Sequence, residues 1–315
     1  MGRCETALEV MKINVILTGG TIGSVYDNGF ITPNSTTEYL LINNYEKVYG
    51  KNVDFCLHNP YTILSENLTG DILNKLIDTL SQEINGDSDG IIVAHGTDTL
   101  QYSACAAAYC LGSDTIPILF VSANYPLENP LSNGNINFAA AVEFIKQKAG
   151  RGVYVSYSND LKSVDFHYPT RLLKHAEFDH RVFSLNGSYA VYKDGKIVLN
   201  KEFVAEASNS VSFKRFSDTC GILNITVSPF EEYNYSLESV KAIIFTPYHS
   251  GTLNTNSKKF KIFCQKANEK SVPMYVTGVV AGGEYQSMKA YSDLNIIPVY
   301  NMPSVPLSVK LWLEN

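Results

Sequence analysis

Three short apolar runs limit the fold of this chain more than any other feature: residues 13–17, Gly90–Ala94 and Ile118–Val121. Each is four or five residues long and lacks the polar–apolar alternation of a half-exposed strand. A strand apolar on both faces has to be covered on both faces. The arrangement that does this is a mostly parallel sheet with helices on either side. Two of the runs lead into glycine- and threonine-rich loops, Thr18-Gly19-Gly20-Thr21-Ile22-Gly23 and His95-Gly96-Thr97-Asp98-Thr99. In sheets of this kind ligands bind beyond the carboxyl ends of the strands, which is where both loops fall.

The rest of the chain extends the rhythm. A strand is expected over 53–57. A helix over 72–84 follows from apolar residues at 72, 73, 76, 77, 80 and 84, with Thr69 or Asp71 near its start. The Ala-rich stretch 100–111 reads as a largely buried helix, 138–149 as a helix ending near Gly150, and 153–157 as a strand. From 158 to 216 the sequence is polar and irregular, with a hairpin at Lys193-Asp194-Gly195-Lys196. Strands over 242–246, 274–277 and 296–300 then alternate with helices over 257–269 and 304–313. The expectation is an α/β protein of two domains, each a mostly parallel sheet flanked by helices. The larger N-terminal domain, 1–200, carries the two loops, a linker runs over 201–215, and the smaller C-terminal domain covers 216–315.

Composition excludes several classes. The chain has 315 residues, 45% apolar and 18% charged, which is not the composition of a disordered protein. Its net charge is −6 and it has no basic cluster, so nucleic acid is not an expected partner. No apolar run approaches the roughly 20 residues of a membrane span, and no secretory signal is present, so no membrane partner is expected. Gly2 and Thr6 fit the myristoylation pattern, a match that is discounted. Met11 stands just before the first strand, so the preceding decapeptide reads as an upstream start or a short tail. Cysteines at 4, 56, 105, 110, 220 and 264 include no C-x-x-C pair. They read as reduced thiols in a cytoplasmic protein.

Each loop has a plain structural reading beside the chemical one. The first can be a tight turn or an anion-binding nest. It lacks the lysine of a P-loop and is not G-x-G-x-x-G, which argues against a nucleotide-binding protein. In the second, Asp98 or Thr97 can cap a helix that starts near Leu100, which is compatible with a functional role, and His95 reads as a structural hydrogen-bonding residue. His175, Glu177, Asp179 and His180 invite a metal reading, with His175 and Asp179 sharing a helix face, but a solvated segment is the better one. No metal or cofactor is called for.

Together the two loops resemble the signatures T-G-G-T-I and H-G-T-D-T of the bacterial-type L-asparaginase family, whose members use a threonine nucleophile. The resemblance extends over nearly the whole chain. It implies that L-asparagine is converted to L-aspartate and ammonia through a threonyl acyl-enzyme, with L-glutamine as a second substrate and no cofactor. Thr21 would be the nucleophile, and Thr97, Asp98 and a cationic side chain would form the second constellation. In Pro169-Thr170-Arg171-Leu172-Leu173-Lys174 the cation is Arg171 or Lys174, with Lys174 preferred. The difference matters, because a buried lysine can lose its proton and an arginine does not. Ser65 would bind the substrate α-carboxylate, and Glu66, together with Asp98, the α-ammonium. Ala123 lies in the segment that seats the leaving amide. Gly20 and Gly96 belong to the lining of the site, where backbone N–H groups near Thr21 and Thr97 stabilise the oxyanion. Members of the family pair as homodimers or homotetramers with sites at the subunit interface.

The chain also departs from the family. Phe30 stands where a loop tyrosine contacts the nucleophile, and Tyr26 is a substitute from a shifted loop. The segments Tyr248-His249-Ser250-Gly251-Thr252 and Gly282-Gly283-Glu284-Tyr285-Gln286-Ser287 look closer to the amidase subunit of glutamyl-tRNA amidotransferases. With 12 residues before the first strand, that subunit's extra N-terminal domain is expected to be absent. Ser250, Tyr285 and Ser287 are candidates to complete a neighbour's site. The rival readings are an amidase for a different amide and a non-catalytic amino-acid-binding relative.

Overall fold

The structure, a computed structural model, describes residues 10–33, 38–203 and 215–314. Most of the linker expected at 201–215, the Gly2–Thr6 pattern and Cys4 lie outside the described residues.

The first sheet is built on β1 (Met11–Leu17), β4 (Val53–His58), β5 (Gly90–Ala94), β6 (Ile118–Val121) and β7 (Val153–Tyr157). These five are parallel, in the spatial order β7-β6-β5-β1-β4. Beyond β7 the sheet continues antiparallel through β8 (Val164–His167), β9 (Ala190–Lys193) and β10 (Lys196–Leu199). Alternation along β1 shows why the apolar runs are continuous. Ile13, Val15 and Leu17 pack into one layer with α1 (Glu38–Tyr49) and α4 (Gly134–Lys146). Ile16 packs into the other with α2 (Gly70–Ile84) and α3 (Leu100–Leu111). Between the first loop and α1, β2 (Ser24–Asp27) and β3 (Phe30–Pro33) form a separate antiparallel hairpin.

A second, smaller sheet is wholly parallel: β11 (Ile222–Thr226), β12 (Ala242–Thr246), β13 (Met274–Val279) and β14 (Ile296–Tyr300), in that order. Its helices are α5 (Lys258–Glu269), the short α6 (Ala290–Asp293) and α7 (Ser304–Glu314). The last helix serves both sheets. Val309 and Leu313 enter the α2/α3 layer of the first, while Leu307 and Leu311 pack with Ala242 and Ile244 of the second. The chain entering the second sheet is bolted to α2: Asn74 and Phe216 exchange two hydrogen bonds, and Gly70 N donates to Asp218.

The α/β architecture with two helix-flanked sheets is as expected, and the hairpin at 193–196 turns through Asp194 and Gly195, both at positive φ. Two local readings are corrected. The helix expected over 138–149 runs over Gly134–Lys146, because Lys148 adopts a positive φ of 50° that ends it early. The stretch after 158 contains a strand, β8, recruited by pairing with β7 and β9. The helix on which His175 and Asp179 would share a face does not form.

Candidate active site

The carboxyl ends of β1 and β5 lie side by side, and their loops are tied at the first residue. Thr18 donates to the Ala94 carbonyl from both its N–H and its hydroxyl, at 3.1 and 2.9 Å. Gly19 and Gly20 follow with φ of 92° and 75°, which a side chain would oppose. Gly20 N–H donates to the Ile63 carbonyl, and Ile63 N–H to that of Thr18, drawing in the loop after β4.

Three backbones meet at this point. A Cβ on Gly20 would collide with the Gly96 backbone, and one on Gly96 with the side chain of Ser65. Thr99 closes the contact by donating to the Ser65 carbonyl at 2.8 Å. The two signature loops and the Ser65 turn are thus packed against one another with no side chain between the glycines.

The threonines of these loops are not equivalent. Thr18, Thr97 and Thr99 donate to the carbonyls of Ala94, Ala123 and Ser65. The half-buried Thr21, at the start of a short 3₁₀ turn Thr21–Gly23, makes no side-chain hydrogen bond with any described residue. Thr97 reaches β6, donating to Ala123 O at 3.0 Å with the Ser122 hydroxyl 3.3 Å away. Thr99, not Thr97 or Asp98, is the N-cap residue of α3, and its side chain does not cap. Asp98 and Glu66 are exposed, and Ser65 is buried.

His95 is fully buried, with Nδ1 2.8 Å from Gly96 O. Burial pushes its pKa down to about 4, so the ring is neutral and structural, as the sequence suggested.

The segment 169–175 separates the two candidate cations. The buried Arg171 lies with its guanidinium 4.4 Å from the centroid of the Phe203 ring, which stacks on Tyr168 in the α1/α4 layer. Leu172 turns into the opposite layer. Gln101 of α3 then donates to Leu173 O, and the charge of Asp98 acts on His175. The exposed Lys174 lies between Leu173 and His175 in sequence and makes no ion pair with a described residue. His175 has its pKa lowered by burial, against the pull of Asp98 and Asp179. Asp179 is held by Arg181 at 2.8 Å.

Sequence reasoning misses the frame behind Ala123. Asn137, fully buried on α4, donates to Ser122 O, accepts from Ser158 N, and offers its carbonyl to Ser156. Asn133 joins Asn124 to Ser158. The signal is present as Asn133 and Asn137, two of the three asparagines in the Asn133-Gly134-Asn135-Ile136-Asn137 stretch. Buried side-chain amides are retained where they satisfy strand ends.

Tyr26 and Phe30, on the β2–β3 hairpin, are both exposed. Ser250 lies 3.0 Å from Thr252, and Tyr285 and Ser287 are exposed on the second sheet's side. Among the described residues no cluster of metal-ligating side chains occurs, and no helix is long and apolar enough to cross a membrane.

Parallel strands with glycine- and threonine-rich loops packed at their carboxyl ends define the class: an α/β protein with two helix-flanked sheets. The family profile Asparaginase, N-terminal, matches residues 12–202, and the chain belongs to the asparaginase family. It is 32% identical to a subunit of the glutamyl-tRNA(Gln) amidotransferase of Methanosphaera stadtmanae over 194 residues, 60% of this chain and 44% of that one. It is 26% identical to the same subunit from Saccharolobus solfataricus, over 96% of this chain and 71% of that one. The chain thus spans less than half of the first of these relatives. Among solved structures, the thermostable L-asparaginase from Thermococcus kodakarensis matches with a TM-score of 0.76 at 18% identity, covering 96% of this chain and 92% of that one. A probable cytoplasmic L-asparaginase from Campylobacter jejuni matches with the same score and identity, covering 96% and 94%. These likenesses are of fold.

Proposed function

We propose that the chain hydrolyses the side-chain amide of a free amino acid, L-asparagine first and L-glutamine second. The observation that carries this reading is the three-way packing of Gly20, Gly96 and Ser65, beside which Thr21 is the one signature threonine with an unengaged hydroxyl among the described residues. In this reading Thr21 Oγ1 attacks the amide carbon, backbone N–H groups near Thr21 and Thr97 hold the oxyanion, and ammonia leaves from an acyl-enzyme that water then hydrolyses.

A threonine hydroxyl needs a proton acceptor. Thr97, Asp98 and Lys174 form the second constellation that assists this transfer. Lys174 is preferred to Arg171 because the preceding residue, Leu173, is tied to Gln101 in the first turn of α3, while the Arg171 guanidinium stacks on Phe203. Ser65 takes the α-carboxylate, Glu66 and Asp98 the α-ammonium, and Ala123 seats the leaving amide. The division into 1–200, 201–215 and 216–315 is kept, with 304–314 returning to the larger unit. Two copies of the chain complete each other's sites through Ser250, Tyr285 and Ser287, in the cytoplasm.

The test is ammonia release from L-asparagine, L-glutamine and simple amides side by side. Saturable release from L-asparagine supports the reading, and release from simple amides alone replaces it with a different amidase.

The curated relatives favour a second reading, in which the amide nitrogen is handed to an acceptor, as the name amidotransferase says of them. Stimulation of ammonia release by glutamyl-tRNA(Gln) and a partner protein distinguishes it from free hydrolysis.

A further inference from the structure

One hydroxyl at the centre of the site has no assigned task. Ser122 directly follows β6, is fully buried, and has Thr97 as the only side-chain hydrogen-bond partner of its Oγ among the described residues, at 3.3 Å. It cannot drift, because its carbonyl accepts from Asn137 Nδ2 at 2.9 Å.

Proton counting sets the direction of the pair. A hydroxyl has one proton and two lone pairs. Thr97 spends its proton on Ala123 O at 3.0 Å. Ser122 is therefore the donor, and Thr97 keeps one free lone pair and no free proton. A hydroxyl held in this way can only accept from whatever enters the cleft. The incoming group must then be a donor, such as the O–H of a water or the N–H of an amide.

We propose that Ser122 is a positioning residue that fixes Thr97 as a hydrogen-bond acceptor toward the reacting groups. The proposal rests on the reading that Thr97 belongs to the reacting constellation. Without Ser122 the second lone pair of Thr97 loses its donor. The hydroxyl can then turn away from Ala123, and a fraction of molecules present a proton where an acceptor is needed.

The experiment compares the full chain with Ser122→Ala and Ser122→Thr, by steady-state kinetics and by crystal structures of the free proteins. In Ser122→Ala, kcat is expected to fall about tenfold, the worth of one neutral hydrogen bond, with KM within about twofold. Ser122→Thr, which keeps the hydroxyl, restores kcat toward the parent value. Thr97 is expected in one rotamer in the parent and in two in Ser122→Ala. An unchanged kcat in Ser122→Ala, or a single Thr97 rotamer in both structures, overturns the proposal. Should the parent release ammonia from no amide, the amidase reading fails, and the Thr97 rotamers alone decide the pairing.

Discussion

The parallel strands of the two sheets end in loops of opposite kind. At the carboxyl ends of β1 and β5 the backbone is crowded, glycine meets glycine, and three of the four loop threonines are engaged. Beyond β13 the loop from 280 to 287 is exposed throughout, with Val280 at 74%. Beside it, Val279, Tyr285, Met288, Tyr291 and Ile297 line a groove of about 530 Å³. The same architecture therefore produces one pair of loops held by the chain's own backbone and one loop left open to solvent. Reacting groups must be held to a fraction of an ångström, which backbone-on-backbone packing achieves and a solvated loop does not.

The largest break in this contrast should come from Thr21→Ala. Turnover is expected to fall by at least ~10³-fold with the melting temperature unchanged, as measured by ammonia release and calorimetry; retained activity would remove Thr21 from the nucleophile's place. The same glycine-to-alanine change should then read differently in the two regions. Gly96→Ala drives a Cβ into Ser65 and is expected to cost about 2–3 kcal/mol. Gly283→Ala meets nothing closer than 3.7 Å, and is expected to stay within ~0.5 kcal/mol. Denaturant titration decides between them, and equal costs would dissolve the contrast.

Acid sharpens it further. His95 and His167 sit on the first sheet's side, both fully buried, with pKa pushed down by burial from 6.5 to about 4. A folded-state pKa below the unfolded one means that the unfolded chain binds protons first. Their stabilisation is complete above pH 6.5 and is lost as pH falls toward 4. The expected loss is about 2 kcal/mol per imidazole by pH 5. Unfolding free energies at pH 7 and 5 measure it, and His167→Gln should flatten the slope. A smaller effect than the loss in acid is expected at the exposed Glu66. Glu66→Gln should raise KM for the amino acid about fivefold with kcat nearly unchanged; a drop in kcat instead would give Glu66 a part in the chemistry.

Where the sequence is legible, physics leaves one solution. Gly90–Ala94, Ile118–Val121 and Val153–Tyr157 stand as read, because a strand buried on both faces is almost wholly apolar, with Ser156 the one small polar residue among them. β8 escapes a reading of the sequence because Val164–His167 is four residues long and carries Asp165, whose carboxyl is satisfied by Ser188 only in the folded sheet. α1 escapes it because Glu38–Tyr49 contains two adjacent asparagines and only a weak apolar stripe. In the site, the loops stand out through glycine and threonine. The proximity of Ser65 to Gly96, the diversion of Arg171 onto Phe203 and the Asn137 frame depend on contacts across 15 or more residues, which no local pattern carries.

The last helix gives the molecule an order in time. Val309 and Leu313 fill the layer that supports α2 and α3, so the loop presenting Thr97 rests on residues synthesised more than two hundred positions later. At the usual pace of translation, about 5–20 residues per second, the half-built first sheet waits roughly ten seconds or more with that layer uncovered. A nascent chain of this kind keeps that apolar layer uncovered until α7 has emerged, so the support beneath the second loop arrives with Val309 and Leu313 rather than with the signature loops themselves.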